Sequence, residues 1–258
     1  MNKPLTYISL FSSAGIGCYG FKENGFECIA TNEILTKRLK IQAFNNKCKY
    51  ETGYLDGDIS TKEIKKWQTE HKISEPDVIV ATPPCQGMSV ANHKKNEELI
   101  RNSLVVESIK ITKEVNPKFF IFENVRAFLN TPCTDIDGQE KSIEEAIKLN
   151  LGGHYNILFK VVNFKEYGAN SSRTRTLVIG VRKDLQNISP YDIFPAKQKS
   201  LTLRKPFTGL EELNEMGKIS EDFYLGVPLS GRAFRSNLLL VPYKRISTSI
   251  PNALKQVA

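Results

Sequence analysis

Six short runs rich in β-branched and aromatic residues recur along the first two thirds of the chain: TYISLF, ECIAT, DVIVA, FFIFE, YNILFKVVNF and TLVIGV. Helix-like stretches lie between most of them. ILTKRLKIQAFN follows the second run, TKEIKKWQTEH precedes the third, NEELIRNSLVVESIKITKEV precedes the fourth, and SIEEAIKLN ends at Gly152–Gly153, a helix stop. Strand runs alternating with helical stretches are the mark of βαβ units. The order predicts an α/β fold, a doubly wound, mostly parallel sheet with right-handed crossovers. After about residue 184 the pattern weakens into proline-spaced, irregular sequence. That divides the chain into a main unit, 1–184, and a C-terminal extension, 185–258.

Three strand ends carry chemistry-bearing residues. DVIVA runs into Pro83, Pro84, Cys85, Gln86 and Gly87. The prolines cannot continue a strand and lock a rigid loop, so the Cys85 thiol is held near a carboxyl end, where ligands gather in open α/β sheets. The competing reading is a small buried cysteine that fills a gap. TYISLF runs into the small-residue turn SSAGIG, where Gly15 and Gly17 permit tight geometry and the next helix offers backbone N–H groups to an anion. The alternative there is a plain connection. Glu33 closes ECIATNE at a distance suited to accepting ribose hydroxyls. The spacing is not GxGxxG, which favours a nucleoside with an amino-acid head over a pyrophosphate cofactor. Asp58 is placed to receive an adenine amino group, or else to cap the helix after Ser60.

Three further segments make the pattern specific. PPCQG at Pro83–Gly87, FENV at Phe122–Val125 and YGANSSRTRTLVIGV at Tyr167–Val181 follow the glycine turn in order. From about Tyr7 to Val181 the chain resembles the cytosine-5 DNA methyltransferases. The resemblance implies a Rossmann-like fold and S-adenosyl-L-methionine as methyl donor, with S-adenosyl-L-homocysteine as product. It places Phe11, Ser12, Gly15, Ile16, Gly17, Glu33, Ile34, Asp58, Ile59, Pro83 and Leu104 around the cofactor, with Arg101, Asn102 and Leu104 similar to the family's helix motif. It assigns Cys85, Glu123, Asn124, Arg173 and Arg175 to catalysis, and Pro84, Gln86, Gly87 and Ser89 to the substrate. Two positions depart from the family pattern: Ser13 stands where many members have glycine, and Ser171 where they commonly have glutamine.

The implied chemistry suits these residue types. Carbon 5 of cytosine is a poor nucleophile until a thiolate adds to carbon 6. Cysteine, with a pKa near ~8.5, already supplies some thiolate at neutral pH. Glu123 can hydrogen-bond ring N3 and the exocyclic amine as charge develops. Asn124 braces the loop through backbone contacts, and Arg173 or Arg175 can hold the base carbonyl or its phosphate. The bland readings are a surface carboxylate, a turn asparagine and a solvated arginine pair. A base in a duplex must swing out to reach a buried thiol, and VANHKKNEE, with Lys94 and Lys95, reads either as a flap over it or as an ordinary polar loop.

The formal net charge of +8 fits a polyanionic partner, here double-stranded DNA, although a lysine-rich surface also gives it. The five scattered cysteines and three separated histidines argue against zinc, and a reducing cytoplasm, bacterial or phage-encoded, fits best. No apolar run matches a membrane span of about 20 residues, and the N-terminus is too short in apolar character for a signal peptide. Residues 185–258 show no target-recognition region and no closing GNSV-like segment. The expectation is the catalytic subunit of a split, heterodimeric restriction-modification enzyme, with Leu238–Val241 buried against the partner. A truncated relative, a transfer RNA methyltransferase of the same family and a thiol peptidase are the rivals.

Overall fold

The computed structural model describes residues 3–59, 61–71, 75–84, 104–169 and 172–199, and of residues 61–63 the backbone only. The strands are β1 (Thr6–Leu10), β2 (Glu27–Glu33), β3 (Tyr54–Asp56), β4 (Val78–Ala81), β5 (Phe119–Val125), β6 (Pro132–Thr134), β7 (Glu140–Ser142), β8 (Tyr155–Asn163) and β9 (Thr174–Arg182). The helices are α1 (Tyr19–Glu23), α2 (Thr36–Phe44), α3 (Thr61–Glu70), α4 (Leu104–Val115) and α5 (Ile143–Leu151). The expectations for Cys85, Gln86, Gly87, Ser89, Lys94, Lys95, Arg101, Asn102, Ser171 and Leu238–Val241 fall outside the described residues.

Among the described residues, seven strands form one sheet in the order β3-β2-β1-β4-β5-β9-β8. The first five pair in parallel, while β9 is antiparallel to both β5 and β8. The Rossmann-like, mostly parallel sheet expected from the sequence is therefore present, closed at one edge by an antiparallel pair. A short β6–β7 hairpin stands apart from it.

Strand alternation explains the two cores. On β1, β4 and β5, Tyr7, Val78, Val80, Phe119 and Ile121 face one side. Ile8, Leu10, Ile79, Ala81, Phe120 and Phe122 face the other. Both faces are buried, which is why these runs read as nearly continuous apolar sequence. Ile64 and Trp67 of α3, Val105 and Ile109 of α4, and Ile143 and Ile147 of α5 cover the second face. Phe21 of α1 covers the first, with Phe164, Tyr167 and Ile193. Ser142 accepts from the Glu145 amide at 3.2 Å and caps α5.

A helix follows the glycine turn, as the sequence predicts, and it is short. It is a 3-10 turn, Ile16–Cys18, followed by a five-residue α1. The Asn24 side chain bonds the Gly20 carbonyl at 2.8 Å, and Gly25 turns away at φ +71°, so the helix cannot extend.

The order of β1 between β2 and β4 sets the functional edge. The chain winds outward from β1 to β3, then returns to β4 on β1's other side. This is the switch point at which crevices open beyond the carboxyl ends. The glycine turn leaves β1 there, and the Thr82–Pro84 segment leaves β4 beside it.

Gly180 of β9 sits opposite Phe120 of β5. A Cβ placed on Gly180 would overlap the Phe120 ring, which is fully buried. Gly180→Ala is expected to cost about 1–3 kcal/mol by overpacking, read as a lower urea midpoint. Adding Phe120→Leu should recover part of the loss. An unchanged midpoint in the single variant would show that the ring is not held against this strand.

Candidate active site

The turn after β1 is fixed by polar contacts from two other elements. Ser12 N–H and Oγ both donate to the Asn32 carbonyl, at 3.0 and 2.9 Å. Glu33 Oε2 accepts from the Ser13 amide at 2.8 Å. Gln42 of α2 donates through Nε2 to Ser12 Oγ at 2.8 Å and to the Ser13 carbonyl at 2.6 Å. Phe11 and Ser13 stand at φ +54° and +49°, the left-handed region that side chains resist. The hydrogen bonds hold Ser13 in a conformation that glycine would adopt freely. Gly15 has φ +87°, and a Cβ there would come within 3.0 Å of Gln42 Cγ.

Glu33 ends β2 and is 4% exposed. Besides Ser13, its carboxylate accepts from the Leu35 amide at 3.2 Å and from Arg38 Nη1 at 3.1 Å. A carboxylate offers about four lone-pair sites, so capacity remains for one more donor. Asp58 is exposed beyond the end of β3, with Oδ1 accepting from the Ile59 amide at 2.9 Å. The Asn32 side chain holds this loop through the Leu55 and Gly57 carbonyls, each at 3.2 Å. Ile59 is buried in the core and Ile34 is 64% exposed. Leu104 opens α4, and Phe11 is half-buried. Phe11, Glu33, Asp58 and Pro83 thus stand at or just beyond the carboxyl ends of β1, β2, β3 and β4.

Thr82 and Pro83 tie the β4 loop to its neighbours. Thr82 Oγ1 donates to the Phe11 carbonyl at 3.0 Å. Asn124 of β5, 4% exposed, donates through Nδ2 to the Pro83 carbonyl at 2.9 Å, and its Oδ1 accepts from Val125 N–H at 2.8 Å. Pro84 is half-buried. The backbone two residues before Cys85 is therefore anchored on β5.

The Arg175 Nε lies 3.1 Å from Glu123 Oε1. Register explains the pairing. Glu123 sits opposite Leu177, so Arg175, two residues earlier on β9, is its diagonal neighbour on the same face. Burial pushes the Glu123 carboxyl above its ordinary range, against the opposing pull of Arg175 and then Arg173. Arg173 is exposed just before β9 begins.

A pocket of about 200 Å³ opens on the α1–α2 side of the turn, where Ala14, Gly15, Ile16, Gln42 and Lys47 line it. Gln42, Asn32 and Thr82 were not singled out from the sequence. The available signal was a lone Gln on the same helical face as Leu39, both of which are buried. Among the described residues, no group of His, Cys, Asp and Glu could hold a metal, and no helix is long and apolar enough to cross a membrane.

The family model described as C-5 cytosine-specific DNA methylase matches residues 5–239. The Type II methyltransferase M.FnuDI of Fusobacterium nucleatum is 33% identical over 193 residues, covering 74% of this chain and 51% of that one. M.NgoPII of Neisseria gonorrhoeae is 33% identical over 183 residues, covering 71% and 50%. The chain spans about half the length of these curated relatives. A solved structure described as a prophage-encoded DNA modification methyltransferase from E. coli shares 26% identity at a TM-score of 0.59, covering 79% of this chain and 54% of that one. The S. pombe Dnmt2 methyltransferase, at 15% identity and a TM-score of 0.52, covers 74% and 53% and is alike in fold.

The raised Glu123 pKa has a definite sign. The folded chain holds this proton more tightly than the unfolded chain. Its contribution to stability is full below the ordinary carboxyl pKa and is lost as pH rises through the raised one. Arg175→Ala removes the larger opposing charge, so the pKa should climb further. A carbon-13 titration of the Glu123 carboxyl checks both statements, and a downward shift in the variant would contradict them.

Proposed function

The chain belongs to the C-5 cytosine-specific DNA methylase family, and on that premise we propose that it methylates carbon 5 of cytosine in double-stranded DNA. The observation that carries the reading is the Asn124–Pro83 hydrogen bond, 2.9 Å long. It joins the strand end bearing Glu123 to the loop leading into Cys85.

S-adenosyl-L-methionine supplies the electrophilic methyl group when bound. The residues present suit it. The small-residue turn leaves no bulky side chain at Gly15, Glu33 keeps an acceptor site for a ribose hydroxyl, and Asp58 is exposed at the next strand end to meet an adenine amine. Ile34, Ile59 and Leu104 would add apolar contact. Anchoring of Ser12 and Ser13 by Asn32, Glu33 and Gln42 keeps this seat shaped in advance, so binding orders little.

Cys85 forms a bond to carbon 6 of a flipped cytosine, and carbon 5 then becomes nucleophilic. Glu123, whose carboxyl burial pushes above its ordinary range, hydrogen-bonds ring N3 as the thiolate adds. Arg175 orients that carboxyl. Arg173, exposed at the same edge, is available to the base carbonyl or a phosphate. After methylation a base removes the carbon 5 proton and the Cys85 thiolate leaves. Pro84, Gln86, Gly87 and Ser89 surround the base in this reading. Extrahelical binding costs a few kcal/mol, which phosphate contacts from a basic chain offset in a salt-dependent way.

The reading extends to assembly. Ile16 and Tyr19, which line the α1–α2 pocket, are exposed, and Phe44 at the end of α2 is 83% exposed. A second polypeptide of a restriction-modification enzyme would cover this apolar face and contribute target recognition. Full site-specific turnover by the purified chain alone would refute the two-subunit form and leave the chemistry untouched.

DNA containing 5-fluorocytosine should trap a covalent adduct in the presence of S-adenosyl-L-methionine, with the suspected partner polypeptide added. Cys85→Ala should abolish the adduct. Glu123→Gln should slow methyl transfer by roughly 10²-fold or more, the usual scale for a lost acid–base group. An adduct persisting in Cys85→Ala would overturn the assignment.

A further inference from the structure

Cys28 and Cys48 are 20 residues apart in sequence, yet their Sγ atoms lie 3.5 Å apart. Cys28 is the second residue of β2 and 2% exposed, while Cys48, in the segment between α2 and β3, is half-buried. The two residues pair as an isolated parallel bridge, and the Lys49 amide donates to the Cys28 carbonyl at 2.8 Å. Paired strands run about 4.8 Å apart, within the ~4.4–6.8 Å Cα separation that a disulfide spans. The backbones are thus already in place for a covalent link. Methyl transfer has no use for either sulfur.

The adjacent residue connects this pair to the glycine turn. Lys47 Nζ donates to Gln42 Oε1 at 3.0 Å and to Thr31 Oγ1 at 3.1 Å. Gln42 is the side chain that grips Ser12 and Ser13. A movement of Cys48 therefore reaches the turn through Lys47 and Gln42.

We propose that Cys28 and Cys48 are a peroxide-responsive disulfide site whose closure disturbs the Lys47–Gln42 latch and weakens the turn's hold on its ligand. The effect on the ligand rests on the reading of this turn as the S-adenosyl-L-methionine seat; the disulfide does not.

The chemistry balances with hydrogen peroxide as oxidant. Peroxide reaches the half-buried Cys48, its O–O bond breaks, and Cys48 becomes a sulfenic acid as one water leaves. Cys28 sulfur attacks Cys48 sulfur, the S–O bond breaks, and the oxygen leaves with the remaining proton as a second water. Two thiols and one peroxide give one disulfide and two waters. The Sγ atoms close from 3.5 Å to about 2.05 Å.

Exposure assigns the first step to Cys48, and acidity bears on the second. Burial alone would raise the Cys28 thiol, but hydrogen bonds from Cys48 and Tyr7 and the Lys47 charge carry it below its ordinary value. The hydrogen bond to Cys28, then burial, holds Cys48 well above. The inner sulfur is the better attacking thiolate in the second step. Cys18, which shares a hydrogen bond with Ser9 at 3.3 Å, and Cys133, which is fully buried, serve as internal controls.

The test uses the full chain carrying Cys85→Ser, so that the nucleophile does not react. Peroxide treatment, alkylation without denaturant and peptide mapping should find the Cys28 and Cys48 peptides joined, two hydrogens lighter, with Cys18 and Cys133 reduced. Dithiothreitol should reverse the link. Cys48→Ser should leave Cys28 reduced, and Cys28→Ala should leave Cys48 as a sulfenic or higher acid. Calorimetry with S-adenosyl-L-homocysteine should show affinity several-fold weaker after oxidation and restored on reduction. Oxidation of Cys48 without a link to Cys28 in the folded chain overturns the site. A link that leaves affinity unchanged overturns the latch. Absence of binding even when reduced would count against the cofactor reading and leave the mapped disulfide standing.

Discussion

The hydrogen bond from Asn124 to the Pro83 carbonyl crosses between the carboxyl ends of β5 and β4. A proline-rich loop has few backbone donors with which to organise itself, so its position must come from outside. Asn124 supplies that position from a buried site, where an unmade bond would cost more than a made one gains. The same side chain accepts from Val125 N–H, which fixes its rotamer and selects which end of the amide faces the loop. Thr82 adds the second tie, to Phe11 at the start of the glycine turn. Loop, turn and carboxylate are thereby coupled through three adjacent strand ends.

Glu123 shows the compromise this arrangement requires. Its side chain is 20% exposed and close to Arg175. Burial favours the neutral acid and the guanidinium favours the carboxylate, yet the balance falls on the raised side. A carboxyl that keeps its proton more readily than usual can donate to a ring nitrogen. One that an arginine also orients does so along a set direction.

Much of this was legible in the sequence, for reasons that differ by element. The runs that became β1, β4 and β5 are buried on both faces, so their composition announces them. Tyr54–Asp56 is three residues long and only partly buried, and carries no such signal until β2 is beside it. The β6–β7 hairpin, PCT against EKS, is too short and polar for periodicity to reveal. Cys85, Glu123, Arg173 and Arg175 could be named as residue types in motifs. The Glu123–Arg175 diagonal could not, because it depends on the antiparallel register of β5 and β9. The geometry of Ser13 was equally hidden. It is fixed by Glu33 and Gln42, 20 and 29 residues away, and local sequence cannot report on partners at that distance. The helix after the turn is short because its stop, Asn24–Gly25, comes soon after its start.

The antiparallel β9 resolves a geometric difficulty in this fold. Parallel strands deliver only their carboxyl ends to the reactive edge, and each is followed by a loop that must travel back across a face. A strand entering the sheet in the opposite sense brings its beginning to that edge instead. Arg173 and Arg175 thus arrive beside Glu123 at the start of β9, and the rest of the strand, Thr176 to Val181, is buried against β5 and β8. Gly180 lies against Phe120 at the far end of the same register. A slip would displace every arginine contact at the near end. The antiparallel register of β5 and β9 is in this sense what sets Arg175 beside Glu123.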